Sequence, residues 1–495
     1  METEVTMKVV LVYPNYLESF YVIPTSSHLP IGLAMIAAVL RDAGHDVTVI
    51  DATVQKLNIH RLTRRVAQNQ PDIIGITANV AFGWKALLTG KWLKRALPAS
   101  KVIFGGPWPS TEYQALLDRG AADIVVIGEG ERTIVALLDA LKAGTPLENI
   151  KGIAFKGSAG IVATDRPPLI DDLDALPFPA WDLFPSPSKY VISSKGKRHY
   201  PIMTSRGCPF DCINCTKFIH GYKIRTRSIE NVIAEIKYLR QQFHADEIVF
   251  IDDGFNFNVE RTELLCDAII ALDFKIHIRC PSIRADRLTP RLAWKLKEAG
   301  AYDVAVGIES GNQAIVNNIG KNLDLHAAKR AIRLLKRLRI LTMGFFMVGL
   351  PGENIHTVLD TKRFIMESGL DIVDIFKIVP IPGTKLADII AKNAIILEDP
   401  QKRMQFYSYD KPVFEMPGMP RELVMLAIKD MYRSFYMNAR KLSWFVKQVA
   451  VTNWRWYMSA FLLVLRHVFR KDPERGTRDV KAVILEKIRK GKSDM

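Results

Sequence analysis

Cysteine is scarce in this chain. There are five in 495 residues, too few for a disulfide framework, so a reducing, cytoplasmic setting is expected. Long apolar runs are missing too. The longest, WYMSAFLLVL from Trp456 to Leu465, is about half of what a membrane span needs. The opening METEVTMKVVLVYP lacks the basic and apolar stretches of a secretory signal and reads as the approach to a first strand. There is no GxGxxG dinucleotide fingerprint, no short-period repeat and no low-complexity tract. What is present is apolar material: 48% of residues are hydrophobic, enough for sizeable cores and against global disorder.

Positive charge is in excess and unevenly spread. The net charge is +16, and from Arg421 to the end 17 Lys and Arg face 7 Asp and Glu. Such a tail suits anionic lipid, an acidic substrate or a solvated helix surface. No RNA-binding signature accompanies it, so no nucleic-acid partner is expected. Trp454, Tyr457, Phe461, Leu465 and Val468 recur at helical spacing, with Arg455, Arg466 and Arg470 at the edges. That pattern fits a helix packed on the rest of the chain, or one lying peripherally on the inner face of a membrane.

Residues 1–150 alternate β-branched runs with amphipathic helices. The expected strands are KVVLVYP (Lys8 to Pro14), DVTVIDA (Asp46 to Ala52), DIIGITA (Asp72 to Ala78), KVIFGG (Lys101 to Gly106) and the start of IVVIGEGE (Ile124 to Glu131). Helices are expected over Leu29 to His45, around Trp84 to Leu97 and around Tyr113 to Arg119. Apolar strands separated by helices mean an α/β, Rossmann-like doubly wound parallel sheet covered on both faces. Such folds bind ligands at the carboxyl ends of their strands. The loops there read TANVAFG, GGPWPST and GEGE, which makes Thr77, Asn79, Gly105, Gly106, Gly128 and Glu129 candidate contacts. Plain turn chemistry is the alternative.

Residues 151–200 hold a hairpin pattern, KGIAFKGSAGIVATD, and a proline-rich linker, PPLIDDLDALPFPAWDLFPSPS. A second alternation over 201–385 gives the strands PIMTSR, EIVFID, KIHIRC, DVAVGIE, LTMGFFMVG and DIVDIFKIV with helices between them. Six βα-type repeats are two short of a closed eight-fold barrel, so a partial (β/α)6 barrel is expected. Residues 386–495 read as a helical, basic C-terminal region.

RGCPFDCINC, Arg206 to Cys215, concentrates three of the five cysteines just after the first barrel strand. The spacing of Cys208, Cys212 and Cys215, C-x3-C-x2-C, matches no structural zinc pattern. Three thiolates can hold three irons of a [4Fe–4S] cluster and leave the fourth open. Cys266 and Cys280 are alternatives for a fourth ligand, or free buried cysteines.

This motif after the first strand of a six-fold partial barrel resembles the radical S-adenosylmethionine (SAM) superfamily. The preceding domain and the LPFPAWDLFP linker are similar to its B12-binding branch, which holds methyltransferases and the anaerobic Mg-protoporphyrin monomethyl ester cyclase. The likeness spans residues 7 to 385. It implies a [4Fe–4S] cluster on the three cysteines, SAM on the open iron, and cobalamin on the first domain. It also implies one-electron cleavage of SAM to a 5′-deoxyadenosyl radical that takes hydrogen from an unactivated carbon. Residue by residue, it gives Asp252, Asp253 and Gly254 of IDDGF to the SAM amino group, and Glu309 and Ser310 of GIESG to the ribose. The backbone around Met347 and Gly349 falls to the adenine, and Arg284 or Arg206 to carboxylate or cluster charge. C-methylation through methylcobalamin is the expected activity, with oxidative cyclisation, or radical SAM chemistry without cobalamin, as alternatives. A small-molecule substrate, lipid-like or tetrapyrrole, and an electron donor such as flavodoxin or ferredoxin follow from the same likeness. Two departures stand out. Asn214 replaces the usual aromatic before the third cysteine. The first domain also has no D-x-H-x-x-G motif for a lower cobalt ligand, DAGH at Asp42 to His45 being the nearest text.

Overall fold

The computed structural model describes residues 6–15, 28–190, 195–196, 198–397 and 412–437. The helical pattern at Trp454 to Val468 lies outside them. Among the described residues no helix is long and apolar enough to cross a membrane.

The first unit contains β1 (Lys8–Tyr13), β2 (Asp46–Asp51), β3 (Ile73–Thr77), β4 (Lys101–Gly105) and β5 (Ile124–Val126), all parallel, in the order β2-β1-β3-β4-β5. Helices α1 (Ile31–Asp42), α2 (Ile59–Gln68), α3 (Gly83–Ala96), α4 (Pro107–Asp118) and α5 (Glu131–Ala143) connect and cover the strands. Alternation along β1 shows why both faces need covering: Val9 and Leu11 enter one core, Val10 and Val12 another. The expected hairpin forms as β6 (Ile153–Gly157) and β7 (Gly160–Ala163), and it extends this sheet antiparallel to β5. The sheet therefore continues beyond residue 150. α4 starts earlier than the sequence suggests, inside GGPWPST, because Pro107 is preorganised for a first helical position.

The linker is pinned between the units. Ala180 N donates to Ala34 O at 3.1 Å, and buried Trp181 meets Phe184 and Tyr200 ring to ring. One core runs from α1 and α5 through Trp181 and Tyr200 into the second unit.

That second unit has six parallel strands in chain order: β8 (His199–Ile202), β11 (Glu247–Phe250), β12 (His277–Ile283), β13 (Ala301–Glu309), β14 (Leu341–Val348) and β15 (Ile372–Lys377). The short β9 (Ser205–Arg206) and β10 (Arg225–Thr226) pair antiparallel to each other. Helices α6 (Ile229–Phe243), α7 (Val259–Ile270), α8 (Pro290–Glu298), α9 (Gln313–Asn318), α10 (Leu325–Arg337) and α11 (Ile355–Ser368) alternate with the strands. β8 and β15 are the two edges, so this is the expected open (β/α)6 barrel. Beyond it come α12 (Lys385–Asn393) and α13 (Arg421–Tyr436), which lies against β15.

Candidate active site

The cysteine loop is built by its neighbours. The expected strand PIMTSR breaks after Ile202 because Asp252 draws the chain aside. It accepts from Thr204 N at 2.6 Å, Thr204 Oγ1 at 2.6 Å and Ser205 Oγ at 2.7 Å. β9 and β10 then close the loop over 207–224. Gly207 begins it at φ +94°, and a Cβ there would sit 2.1 Å from Lys223 O, so only glycine fits. Ile213 N donates to Ile319 O at 2.9 Å, and Leu386 N to Ile213 O at 2.9 Å. Phe210 is held between Arg284, 3.7 Å from its ring, and Phe257 at 5.5 Å. Gly254 is the room Phe257 needs, since a Cβ would lie 2.0 Å from that ring.

Within this frame the three candidate thiols share one loop and one electrostatic field. Partial burial and then the neighbouring cysteines raise Cys212, while Cys215 is exposed and is raised by Cys208 beside it. Lys217 opposes that rise, so metal binding must remove protons beside a ready cation. Among the described residues no trio of His, Cys, Asp or Glu converges on a point as a single ion requires. A cubane instead takes its thiolates at separate corners, which a three-cysteine loop suits. Cys266 and Cys280 are buried on α7 and β12. Burial pushes the Cys266 thiol up to about 12, as in inert core cysteines.

The candidate SAM residues divide. Asp253 stays at the loop, accepting from Gly207 N at 2.8 Å and facing His220 Nδ1 at 2.9 Å. Its side chain is still 39% exposed, and His220 with the Gly207 N–H holds the carboxyl below its ordinary range. Asp252, fully buried, has both oxygens turned to Thr204 and Ser205, so it shapes the loop. Glu309 ends β13 at φ +69°, an unusual conformation for a non-glycine residue, and pairs with Lys321 at 2.7 Å. Ser310 faces away, 3.1 Å from Thr361 Oγ1 on α11. Met347 and Asn214 meet: the Asn214 amide lies 3.6 Å from the Met347 sulfur, so the departure at 214 falls at the carboxyl end of β14. Gly349 N and Leu350 N both donate to Glu353, at 2.7 and 3.0 Å. Arg284 pairs with Asp286 and covers Phe210.

In the first unit the candidate loops gather at the carboxyl ends of β3, β4 and β5. Thr77 and Gly106 are neighbours, with no room for a Cβ between Gly106 and Thr77 Oγ1 at 2.8 Å. Asn79 caps its own turn, accepting from Ala81 N at 2.9 Å. Ser110, which sequence reasoning did not single out, accepts from Gly128 N at 3.0 Å and donates to Gly106 O at 2.8 Å, tying two loops together. Gly105 ends β4 beside this knot. His45 precedes β2, at the amino end of the sheet and away from these loops.

Glu129 has a different task. It accepts from Arg225 on both oxygens, at 2.9 Å each, from Arg206 at 3.1 Å and from Ile170 N at 2.8 Å. Arg206 also pairs with Glu131 at 2.5 Å. All four side chains are buried. Arg206 ends β9 and Arg225 begins β10, so the GEGE loop grips both strands that bound the cysteine loop. Sequence spacing gave no sign of this clasp, whose partners lie up to 96 residues apart.

Comparison with known proteins agrees with this geometry. Residues 24–138 match the B12 binding domain model and residues 202–365 the radical SAM superfamily model. The chain is 30% identical over 446 residues to an uncharacterized methyltransferase of Pyrococcus horikoshii, spanning 88% of this chain and 94% of that one. It is 27% identical to the anaerobic magnesium-protoporphyrin IX monomethyl ester cyclase of Rubrivivax gelatinosus, over 87% of this chain and 78% of the relative. In fold it is similar to the radical SAM methyltransferase TsrM of Kitasatospora setae, solved with cobalamin and a [4Fe–4S] cluster (TM-score 0.65, 20% identity, 78% of each chain). It is also similar to the cobalamin-dependent radical enzyme OxsB, solved with aqua-cobalamin and SAM (TM-score 0.64, 18% identity, 98% of this chain and 75% of that one). A three-thiol loop at the mouth of a six-stranded barrel, facing the strand-end loops of a B12-binding unit, places this chain in the cobalamin-binding branch of the radical SAM enzymes, whose cofactors are a [4Fe–4S] cluster, SAM and cobalamin.

Proposed function

We propose that this enzyme methylates an unactivated carbon of a small-molecule substrate. The observation that carries the reading is the meeting of the two cofactor loops: the missing Cβ of Gly128 points to Phe218 O, 3.9 Å away, inside the cysteine loop. The cluster and SAM supply a radical, and methylcobalamin a methyl group. The chain's own residues bind and orient. Cys208, Cys212 and Cys215 hold three irons. Asp253, at the loop's base, is suited to the SAM ammonium and Glu309 to the ribose, while the strand end at Met347 and Gly349 borders the adenine. Thr77, Asn79, Gly105, Gly106 and Gly128 offer backbone and hydroxyl groups to the corrinoid. A low-potential donor of the flavodoxin or ferredoxin class provides the electron.

The test is anaerobic. Reconstituted enzyme with SAM and reductant is expected to form 5′-deoxyadenosine, and Cys212→Ala to lose both iron and this product. Absence of the product with every reductant and candidate substrate would overturn the reading. Cyclisation is the second reading, supported by the 27% identity to the Rubrivivax cyclase. Label from the SAM methyl group appearing in the product selects methylation. Loss of substrate hydrogen with no label gained selects cyclisation.

A further inference from the structure

At the opposite end of the barrel from the cysteines lies a second buried polar group. His199 opens β8 and Glu247 opens β11, while Arg279 and Asp303 sit in the first halves of β12 and β13. Register pairs His199 with Glu247 and Arg279 with Asp303. These side chains point inward. Tyr200, next to His199, packs outward on Phe243 of α6, and Cys280, next to Arg279, belongs to the core that holds Leu265 and Cys266 of α7; neighbours on a strand take opposite faces.

Part of the group is satisfied. Arg279 Nε donates to Asp303 at 3.2 Å, and Glu247 Oε2 accepts from Tyr302 at 2.8 Å and from Gly196 N at 2.8 Å. The rest is not. Both ring nitrogens of His199, Nη1 of Arg279 and Oε1 of Glu247 are buried without a partner. His199 is only 3% exposed and Arg279 9%. Burial, then His28 and Arg279, hold His199 down at about 3. Buried donors left idle are costly, and folded proteins rarely leave several together. An apolar side chain would fill the place of His199 at no such cost. The cysteine loop, at the far ends of the strands, uses none of these groups.

We infer that His199 and Arg279 form an oxyanion subsite at the barrel floor, binding a carboxylate or phosphate carried by the substrate. This rests on the reading of the barrel as the reaction chamber. The free Nη1 of Arg279 and an imidazole N–H are two donors for one anionic oxygen pair. A substrate anchored by that end would run past Met343 and Phe345, half-buried on β14, towards the cysteine loop.

The probes are inorganic phosphate and acetate, titrated separately into the reconstituted holoenzyme by calorimetry. One of them is expected to bind with one site per chain, and which one selects phosphate or carboxylate. His199→Phe is expected to weaken that binding roughly ten-fold or more, the loss of one charge-assisted contact, while iron content and corrinoid absorbance stay unchanged. His199→Gln, which keeps a donor, should lose less. Arg279→Lys, which keeps the charge but not the fork, should fall between wild type and no binding. Binding by neither probe, or binding unaltered in His199→Phe, overturns the subsite. Formation of 5′-deoxyadenosine does not depend on this result, so failure of the subsite and failure of the radical SAM reading are told apart.

Discussion

At the scale of single residues, two positions near the candidate SAM site make sharp predictions. Gly207 has a positive φ and a backbone oxygen 2.1 Å from where a Cβ would be. Gly207→Ala must enter a conformation that costs an L-residue roughly 1–2 kcal/mol and must also displace Lys223. The loop should yield before the barrel does, so iron per chain after reconstitution should drop sharply while circular dichroism stays native. Full iron occupancy would show that the loop relaxes freely. Glu353 is the second. Burial raises its carboxyl from 4.5 to about 7, with the Gly349 and Leu350 N–H groups opposing the rise. The folded state therefore binds this proton more tightly than the unfolded chain. The stability it lends is present below pH 4.5 and is lost as pH climbs towards 7 and beyond. Glu353→Gln keeps an acceptor for both N–H groups and removes the titration. The fall in stability between pH 5 and pH 8, read from urea midpoints, should shrink in this variant by on the order of 2 kcal/mol. An unchanged fall would show that Glu353 titrates normally.

At the scale of elements, the open barrel raises the question of its edges. β15 is one edge, and α13 covers it with two tyrosines. Tyr436 OH donates to Val373 O at 2.8 Å and accepts from Val373 N at 2.9 Å, and Tyr432 OH accepts from Ile375 N at 3.1 Å and donates to Asp374 at 2.9 Å. Side-chain hydroxyls thus take the place of a seventh strand and blunt an edge that would otherwise invite pairing. Tyr436→Phe leaves a buried N–H and C=O unmet, costing about 1–3 kcal/mol. Amide hydrogen exchange at Val373 and Ile375 should quicken relative to β13, and equal protection would refute the edge role. Elements of this kind were legible to different degrees. The six barrel strands read clearly because β-branched runs bounded by glycine and proline have few other uses. The break after Ile202 did not, because Asp252, which causes it, lies 48 residues away from Thr204. α9 is too short to show a helical period, whereas α13 falls in the stretch after residue 386 that reads as helical.

At the scale of the whole molecule, the same distinction explains what happened to the candidate site. Cys208, Cys212 and Cys215 could be singled out as candidates because they lie within eight residues on one loop. Glu129 read as a ligand contact because it follows a strand, yet it is the centre of a clasp between the two units, completed by Arg206 and Arg225 of the barrel. Nothing local encodes that pairing. Its consequence is mechanical: the loop expected to border the corrinoid holds the two strands that frame the cysteines. Burial works against charge on Glu129, but Arg225, the Ile170 N–H and Arg206 outweigh it and hold its carboxyl below the usual range. Glu129→Gln keeps the shape and removes the charge, leaving Arg225 without its anion and Arg206 with Glu131 alone. Breaking one partner of a buried pair costs about 3–5 kcal/mol. The damage should therefore cross the domain boundary: iron retention should fall although no cysteine is touched, and the proline-rich linker should become open to limited proteolysis. Glu131→Gln, which spares Arg225, should do less. High salt should not reproduce either effect in the wild-type protein, because a buried network is poorly screened. If salt does release iron as the substitution does, the pairs are solvated and the clasp does not couple the two units.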